Sequence, residues 1–449
     1  MKDLTTGNIY KNFIIFAIPM VLAGFLSQGY SIINTIVAGK LIGESGLGAI
    51  GAVSPLDTFL NSIFWGYGNG LGIYCANLFG AKDYRKLKSV IYSNLVSLTV
   101  IIAIMGVIML IFKNSIYSFL QIDHSIIPDV DRYFIVSILG KAIVLFSVNC
   151  VFVVNALGVS SFPLYMSFIS SIANIIISIF SVSVLGAGVE GLAWATVISA
   201  TIVSVLYIIK FRAYFEKMNV SDMPLSVSPE SLIETVKIAV PTTIQQSVMY
   251  FSTMILSPFV NGMGGAASAS YTVTNRIYEV NASIYQNSAK TVGSYTAQCY
   301  GAGKYHKIKD GLKVGFIQNL LFVLPVLLIC ILMPEKVCSL FYDEGASPVA
   351  TEYTVLFLKF YLPFILINVV ANLFHHFFRG IRKLKALVTA TVVGSVARII
   401  LTVLLVDSIG IHGIYVGWVM SWLADGIVGV GVYFGGKWKE ELQAKNTLS

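Results

Sequence analysis

The stretch FIIFAIPMVLAGFLSQGYSIINTIVA, residues 13–38, decides the fold class of this chain. It contains no charged side chain, and about 20 consecutive apolar residues are enough to cross the hydrocarbon core of a bilayer as a helix. The stretch is too long for the apolar core of a signal peptide, and no small-residue cleavage site follows it cleanly. We therefore predict that it is the first transmembrane helix.

Further apolar segments follow along the chain. They cover residues 47–76, 90–112, 133–156, 164–185, 191–211, 235–260, 268–297, 311–333, 354–378, 387–406 and 411–434. The chain is 56% hydrophobic and only 12% charged, whereas a soluble protein has about a quarter of its residues charged. Because backbone groups must be paired in lipid and the segments are too long for barrel strands, we predict an all-α polytopic membrane protein with twelve transmembrane helices.

Lysine and arginine are concentrated in alternate loops, which accounts for the formal net charge of +8. The basic side carries Lys2, Lys11, the clusters at 82–88, 210–217 and 304–313, Arg379, Arg382, Lys383, Lys385, Lys437 and Lys439. Positive loops stay in the cytoplasm, so both termini are expected there. The five cysteines have no metal-ligand or CxxC spacing and are expected to be small buried hydrophobes.

The two halves of the chain repeat each other. FAIPMVL at 16–22 matches IAVPTTI at 238–244, FGAKDYRKLK at 79–88 matches YGAGKYHKIK at 300–309, and GVEGLAWA at 188–195 matches GIHGIYVG at 410–417, all at an offset of 221–222 residues. Six helices on each side of the polar stretch 212–234 give both halves the same orientation. We predict a six-helix lobe at 1–211, a cytoplasmic linker at 212–234 and a second six-helix lobe at 235–449.

The ordered motifs resemble those of the multidrug and toxin extrusion (MATE) family. They are Pro19, NTIVAGKLIG at 34–43, the loop at 79–88, the fifth span around Asn174, TVTNRI at 272–277 and FFRGIRK at 377–383. The resemblance implies two pseudo-symmetric lobes around a central cavity. It also implies export of organic, often cationic, compounds in exchange for H⁺ or Na⁺. No enzyme motif or ATP-binding GxxxxGK[ST] loop is present, so we expect no enzyme, no cofactor besides the coupling ion, no nucleic-acid partner, and a monomer surrounded by lipid.

The chain departs from the family at the positions where members carry cation-binding acids. By the resemblance, Asn34, Ser178, Met249 and Asn368 stand at the positions of those carboxylates. Neutral oxygens also bind hard cations, so Asn34, Asn174, Ser178 and Thr196 are candidates for a cation site. The departures leave open whether coupling has moved or is lost.

Ionisable residues inside spans are costly and usually functional. Asp57 and Glu279 occupy nearly equivalent places in the two halves and are our first candidates for cation coupling. Asp57 has no basic residue close in sequence, so an acid that readily takes up a proton is expected. Glu279 is three residues from Arg276 and can pair with it, which leaves a responsive acid and a static ion pair as equal alternatives.

Other polar residues share helix faces that could line the cavity. The candidates are Gln246, Met249, Arg276, Asn368, His375 and Asp425. His375 fits a hydrogen-bonded structural role better than a ligand role, and Asp425, on a stripe with Trp418 and Trp422, fits packing somewhat better than an aromatic site for a cation. Pro19 and Pro241 interrupt backbone hydrogen bonding at matching places and are candidate gates.

Two other classes of function remain open from the sequence. A lipid-linked oligosaccharide flippase would need a basic cavity, for which Lys141, Arg276, Lys290 and Arg398 are available. A receptor or scaffold without transport activity is less consistent with the short loops and the two-lobe repeat.

Overall fold

The structure is a computed structural model that describes residues 1–42, 44–120, 122, 124, 126–342, 347–436 and 438–440, with the side chains of 28, 30–36, 38–41, 44, 45, 47, 257 and 261 excepted. The described residues form helices joined by turns and short loops. The helices are α1 Ile9–Leu41, α2 Glu44–Gly80, α3 Tyr84–Ile111, α4 Lys113–Phe119, α5 Ile127–Ala156, α6 Ser161–Ser183, α7 Val189–Lys217, α8 Pro229–Gly262, α9 Gly265–Gly301, α10 Ile308–Leu332, α11 Pro334–Cys338, α12 Pro348–Leu356, α13 Ile365–Gly380, α14 Leu384–Ile409 and α15 Ile411–Phe434.

The predicted spans correspond to the long helices. Within the described part of the chain, nine helical segments are long and apolar enough to cross a membrane by length and composition. The other three long helices are α2, α8 and α9, and α9 is the most polar because it carries Arg276, Glu279 and Lys290. The all-α fold class with twelve long helices is therefore confirmed.

The tenth span is interrupted where a proline enters it. α12 ends at Leu356, a π-helical turn covers Phe357–Tyr361, and a 3₁₀ turn covers Leu362–Phe364 before α13 begins. Pro363 cannot donate a backbone hydrogen bond and its ring clashes with the carbonyl four residues earlier. The change of helical pitch relieves this clash.

The chain packs as two units, and α1 and α8 each pass from one unit to the other beside one of the two matched prolines. Unit 1 holds Met1–Asp3 and Leu22–Val240, and unit 2 holds Leu4–Val21 and the described residues from Pro241 onward. Pro19 lies inside α1 and Pro241 inside α8, and both helices continue through them. The predicted lobes at 1–211 and 235–449 follow the sequence repeat and stay a prediction, as does the gating role of the prolines.

The first half of α1 is held firmly within unit 2. Leu4 donates its backbone N–H to Oε1 of Gln298 at 2.9 Å, and Lys304 Nζ donates to Oγ1 of Thr5 at 2.7 Å. The Phe13 ring lies edge-on to Tyr295, with centroids 5.1 Å apart. Leu4–Val21 thus belongs to the first sequence repeat but packs with helices of the second.

A buried lysine anchors the linker within unit 1. α7 continues to Lys217 and α8 begins at Pro229, so the irregular part of the linker is 218–228. Lys88, only 4% exposed, donates from Nζ to the carbonyls of Val220 at 2.6 Å, Ser221 at 3.3 Å and Met223 at 2.6 Å. The ammonium replaces its water ligands with three backbone acceptors.

Replacement of this anchor is expected to loosen the linker without unfolding the helices. Hydrogen bonds to a charged group contribute about 1.5–3 kcal/mol each, so Lys88→Met should raise local opening by about tenfold or more. Limited trypsin digestion should then cleave after Lys217 correspondingly faster than in the wild type. Arg85→Gln, which removes an exposed basic residue of the same helix, α3, is the control and should leave the rate unchanged. Equal rates for both variants would contradict the anchoring role.

The cysteines confirm the prediction made for them. Cys75, Cys150, Cys299, Cys330 and Cys338 are all free and buried. Burial raises the pKa of Cys338, which lies in α11 outside the spans, to about 11. The thiol therefore stays protonated and unreactive at neutral pH.

Candidate functional site

Three of the four neutral residues predicted to form a cation site lie together in unit 1. Asn174 on α6 donates from Nδ2 to Oγ1 of Thr196 on α7 at 3.1 Å, and its Oδ1 accepts from Ser178 Oγ at 3.1 Å. Asn174 and Ser178 are each 1% exposed. The group gathers three side-chain oxygens in a buried place, the chemistry that a hard cation uses. The side chain of Asn34, the fourth candidate, lies outside the described residues.

Asp57 has a basic partner that the sequence did not indicate. Lys141 on α5 forms an ion pair with Oδ1 of Asp57 on α2, and Asn61 donates to Oδ2 at 2.9 Å. The expectation of an acid without a fixed cation is wrong, because α5 packs against α2 and brings in a lysine 84 residues away. The Lys141 side chain is 7% exposed and that of Asp57 is 46% exposed, so the carboxylate keeps an open side.

The second acid pairs as its spacing predicted. Arg276 Nη1 lies 3.3 Å from Oε2 of Glu279, and Asn275 Nδ2 lies 3.3 Å from Oε1. Arg276 and Glu279 are 55% and 39% exposed. The intrahelical ion pair is confirmed, and its exposure leaves both groups open to a charged ligand.

Two candidate cavity residues contact each other in unit 2. His375 Nε2 on α13 lies 2.8 Å from Oδ1 of Asp425 on α15. The two side chains are 5% and 15% exposed. Helical periodicity selected each residue separately, and only the packing of α13 on α15 shows that they form a pair.

Asn368 belongs to a network of hydroxyl groups. Its Nδ2 donates to the phenol oxygens of Tyr278 at 3.2 Å and Tyr285 at 2.8 Å. These two oxygens lie 3.2 Å apart. A polar network of this kind rigidifies the contact between α9 and α13.

Gln245 makes the interhelical contact next to the predicted residue Gln246. Gln245 Nε2 lies 3.3 Å from Sδ of Met249, and its Oε1 accepts from Nη2 of Arg379 at 3.1 Å. Arg379 is 4% exposed and lies within α13, not in the loop that follows it; its predicted place on the cytoplasmic side stays a prediction. The residue closes the last turn of α13, where helix packing covers a side chain that the charge pattern alone places outside.

The aromatic stripe of α15 is filled by the protein itself. Trp418 and Trp422 are 3% and 8% exposed, and Tyr278 stacks on Trp422 with centroids 5.7 Å apart. The guanidinium of Arg398 lies 5.2 Å from the Trp418 ring centroid and donates to Oγ1 of Thr253 at 3.1 Å. The Trp418 ring, which could attract a cationic substrate, is therefore already covered by the guanidinium of Arg398.

The fold is that of a polytopic membrane protein, and ionisable pairs inside its long helices are typical of transporters. The model of the MatE family matches residues 19–180 and again residues 241–404. The two matches begin at the paired prolines, and the chain belongs to this family.

The relatives match this chain over most of the length of both proteins. The chain is 24% identical over 446 residues to the "Probable multidrug resistance protein YpnP" of Bacillus subtilis (strain 168), covering 97% of both chains. It is 24% identical over 367 residues to the "Multidrug export protein MepA" of Staphylococcus aureus (strain N315), covering 82% of this chain and 80% of that one. A solved structure described as the "Outward-facing conformation of a multidrug resistance MATE family transporter of the MOP superfamily" matches with a TM-score of 0.87 at 20% identity, over 100% of this chain and 99% of that one.

Proposed function

We propose that this chain is a secondary active antiporter, not an enzyme, that exports organic, often cationic, drug-like compounds in exchange for H⁺ or Na⁺. The observation that carries the proposal is the family match over both repeats. The printed names of the relatives, a multidrug resistance protein and a multidrug export protein, support the substrate class.

The exposed acids give this proposal a physical basis. Asp57 and Glu279 lie inside long helices, are 46% and 39% exposed, and are each held by a basic neighbour. A cationic compound or a coupling ion competes with Lys141 or Arg276 for the carboxylate. A ligand shifts a two-state protein toward the state that binds it better, and we infer that the exported compound and the coupling ion favour opposite states. The oxygens of Asn174, Ser178 and Thr196 are a second place for a coupling ion, and they suit Na⁺ because they cannot release a proton.

The membrane setting of the proposal rests on composition. The many exposed large hydrophobic side chains of the long helices, such as Ile104, Ile111 and Leu404, fit contact with lipid. The basic loops favour both termini in the cytoplasm. The relatives from Bacillus subtilis and Staphylococcus aureus support a bacterial cell (inner) membrane, and we propose a monomer. The flippase alternative is not favoured, because the relatives reported above are named as multidrug proteins.

The proposal is tested by the accumulation of ethidium in drug-sensitive cells. Cells with the wild-type protein should accumulate less dye than cells with empty vector. Asp57→Asn combined with Glu279→Gln should abolish the difference at equal membrane expression, because both acids that attract cations are lost. Asp407→Asn combined with Glu352→Gln, which neutralises two exposed acids, is the matched control and should export like the wild type.

A wild type that inserts into the membrane but accumulates as much dye as the vector would contradict export of cationic compounds. Full export by the Asp57 and Glu279 double variant would instead contradict the role of these two acids.

A further inference from the structure

The pair His375 and Asp425 differs from the other intramembrane ion pairs in one chemical respect. Lys141 and Arg276, the partners of Asp57 and Glu279, carry side chains that are ordinarily protonated at neutral pH. Imidazole is the side chain that ordinarily changes its charge between pH 5 and 8. Of the ion pairs inside long helices in the described part of the chain, the pair of His375 and Asp425 is the one that contains an imidazole.

The hydrogen bond indicates which atom takes the proton. An ionised carboxylate only accepts, so with Asp425 ionised the 2.8 Å contact has Nε2 of His375 as the donor and Oδ1 of Asp425 as the acceptor. In the neutral imidazole the other nitrogen, Nδ1, then carries the free lone pair. A hydronium ion gives its proton to Nδ1: one O–H bond breaks, one N–H bond forms, a water molecule is left, and the pair becomes imidazolium and carboxylate.

Both charged and neutral side chains surround His375 and Asp425. On α13 itself the neighbours are His376 and Arg379, and Lys290 of α9 lies close enough to His376 to act on it electrostatically. α14 faces Asp425 with Gly394, where an added Cβ would lie 3.1 Å from the Asp425 Cβ. The fully buried polar residues of α10 and α14 are neutral: Gln318, Asn319, Thr391, Ser395 and Thr402. The cation that α14 places against α15 is Arg398, whose guanidinium lies over the ring of Trp418. The titratable partner of His375 from another helix is thus Asp425.

The helices around Asp425 pack closely through glycines. Gly426 packs on Ile367, where an added Cβ would be 3.3 Å from Cγ2, and Gly429 packs on Phe374, also at 3.3 Å. Small residues let helix backbones approach closely with a smooth contact. A change of charge at the pair therefore acts directly on how tightly α13 and α15 hold together.

We propose that His375 and Asp425 form the proton-binding site that couples transport to a pH gradient, an inference that rests on the exporter function proposed above. The protonated pair joins α13 and α15 by a full ion pair, and release of the proton leaves a single hydrogen bond from a neutral ring. The two states differ in the strength of one interhelical contact, which is what a two-state transporter needs in order to respond to a proton.

The test uses the purified full-length protein in liposomes, with ethidium as the probe. Two activities are measured: uptake driven by an imposed pH difference, and dye exchange at equal pH on both sides. His375→Gln and Asp425→Asn should lose the driven uptake and its pH dependence while exchange is retained, because exchange needs no net proton movement. His412→Gln, at a histidine bonded to Tyr361, is the matched control and should retain both activities.

A second variant guards against simple loss of folding. His375→Asp combined with Asp425→His restores the same two groups in exchanged places and should recover driven uptake. Driven uptake with an unchanged pH profile in the single variants would overturn the inference. The inference would also be overturned if both single variants lost dye exchange as well as driven uptake and the double variant with the two residues swapped did not recover them. That result would assign the pair a structural role. A wild type without driven uptake or dye exchange would instead count against the proposed function. In that case proton uptake is measured in detergent, and equal uptake by the wild type and by His375→Gln would overturn the proton site itself.

Discussion

Gly158→Ala is expected to destabilise the protein strongly, because the added methyl group carries both a conformational and a steric free-energy cost. Gly158 has a φ of +73°, and a Cβ built on it would lie 2.0 Å from the backbone oxygen of Lys2. The left-handed conformation costs about 1–2 kcal/mol for a residue with a side chain, and forcing a packed backbone apart costs about 1–3 kcal/mol more. The midpoint of thermal unfolding in detergent should fall by several degrees.

The chain supplies a control that separates the two costs. Gly186 has a φ of +64° but nothing within 4 Å of an added Cβ, so Gly186→Ala should show the conformational cost alone. The five buried thiols allow unfolding to be followed with a thiol-reactive dye. Equal melting temperatures for the two variants would show that the N-terminal segment moves away from Gly158 without cost.

Asp57→Asn is expected to be more harmful than Lys141→Met, although both break the same ion pair. The first leaves a lysine that is 7% exposed facing a weaker acceptor, whereas the second leaves a carboxylate that is 46% exposed and can be hydrated. Loss of one partner from a fully buried pair costs about 3–5 kcal/mol, and exposure of Asp57 reduces this to about 1–3 kcal/mol. Lys141→Met should cost less than about 1 kcal/mol.

The double variant completes a thermodynamic cycle for this pair. Asp57→Asn combined with Lys141→Met should be more stable than Asp57→Asn alone, because the buried ammonium is gone. The same thiol-reactive melting assay gives the comparison. Additive losses in the double variant would mean that the two residues do not stabilise each other.

Local features could be predicted because they depend on spacing along one helix. The apolar runs, the repeat with its paired prolines, and the contact of Arg276 with Glu279 at three residues' separation all follow from helix geometry. The gathering of Asn174, Ser178 and Thr196 was expected from the family resemblance, and their hydrogen bonds bear out that these residues lie together.

Partners from different helices depend on how each helix is rotated in its unit, and spacing along the chain does not encode this. Lys141 reaches Asp57 across 84 residues and His375 reaches Asp425 across 50, while Arg379 turns inward to Gln245. The same holds for Leu4–Val21, which packs in unit 2 although it belongs to the first repeat. The sequence by itself determined the membrane-spanning helices, their duplication and the ionisable residues inside them. The tertiary structure decided which of those charges meet, because burial leaves an ionisable group in a membrane helix with few alternatives to a partner on the neighbouring helix.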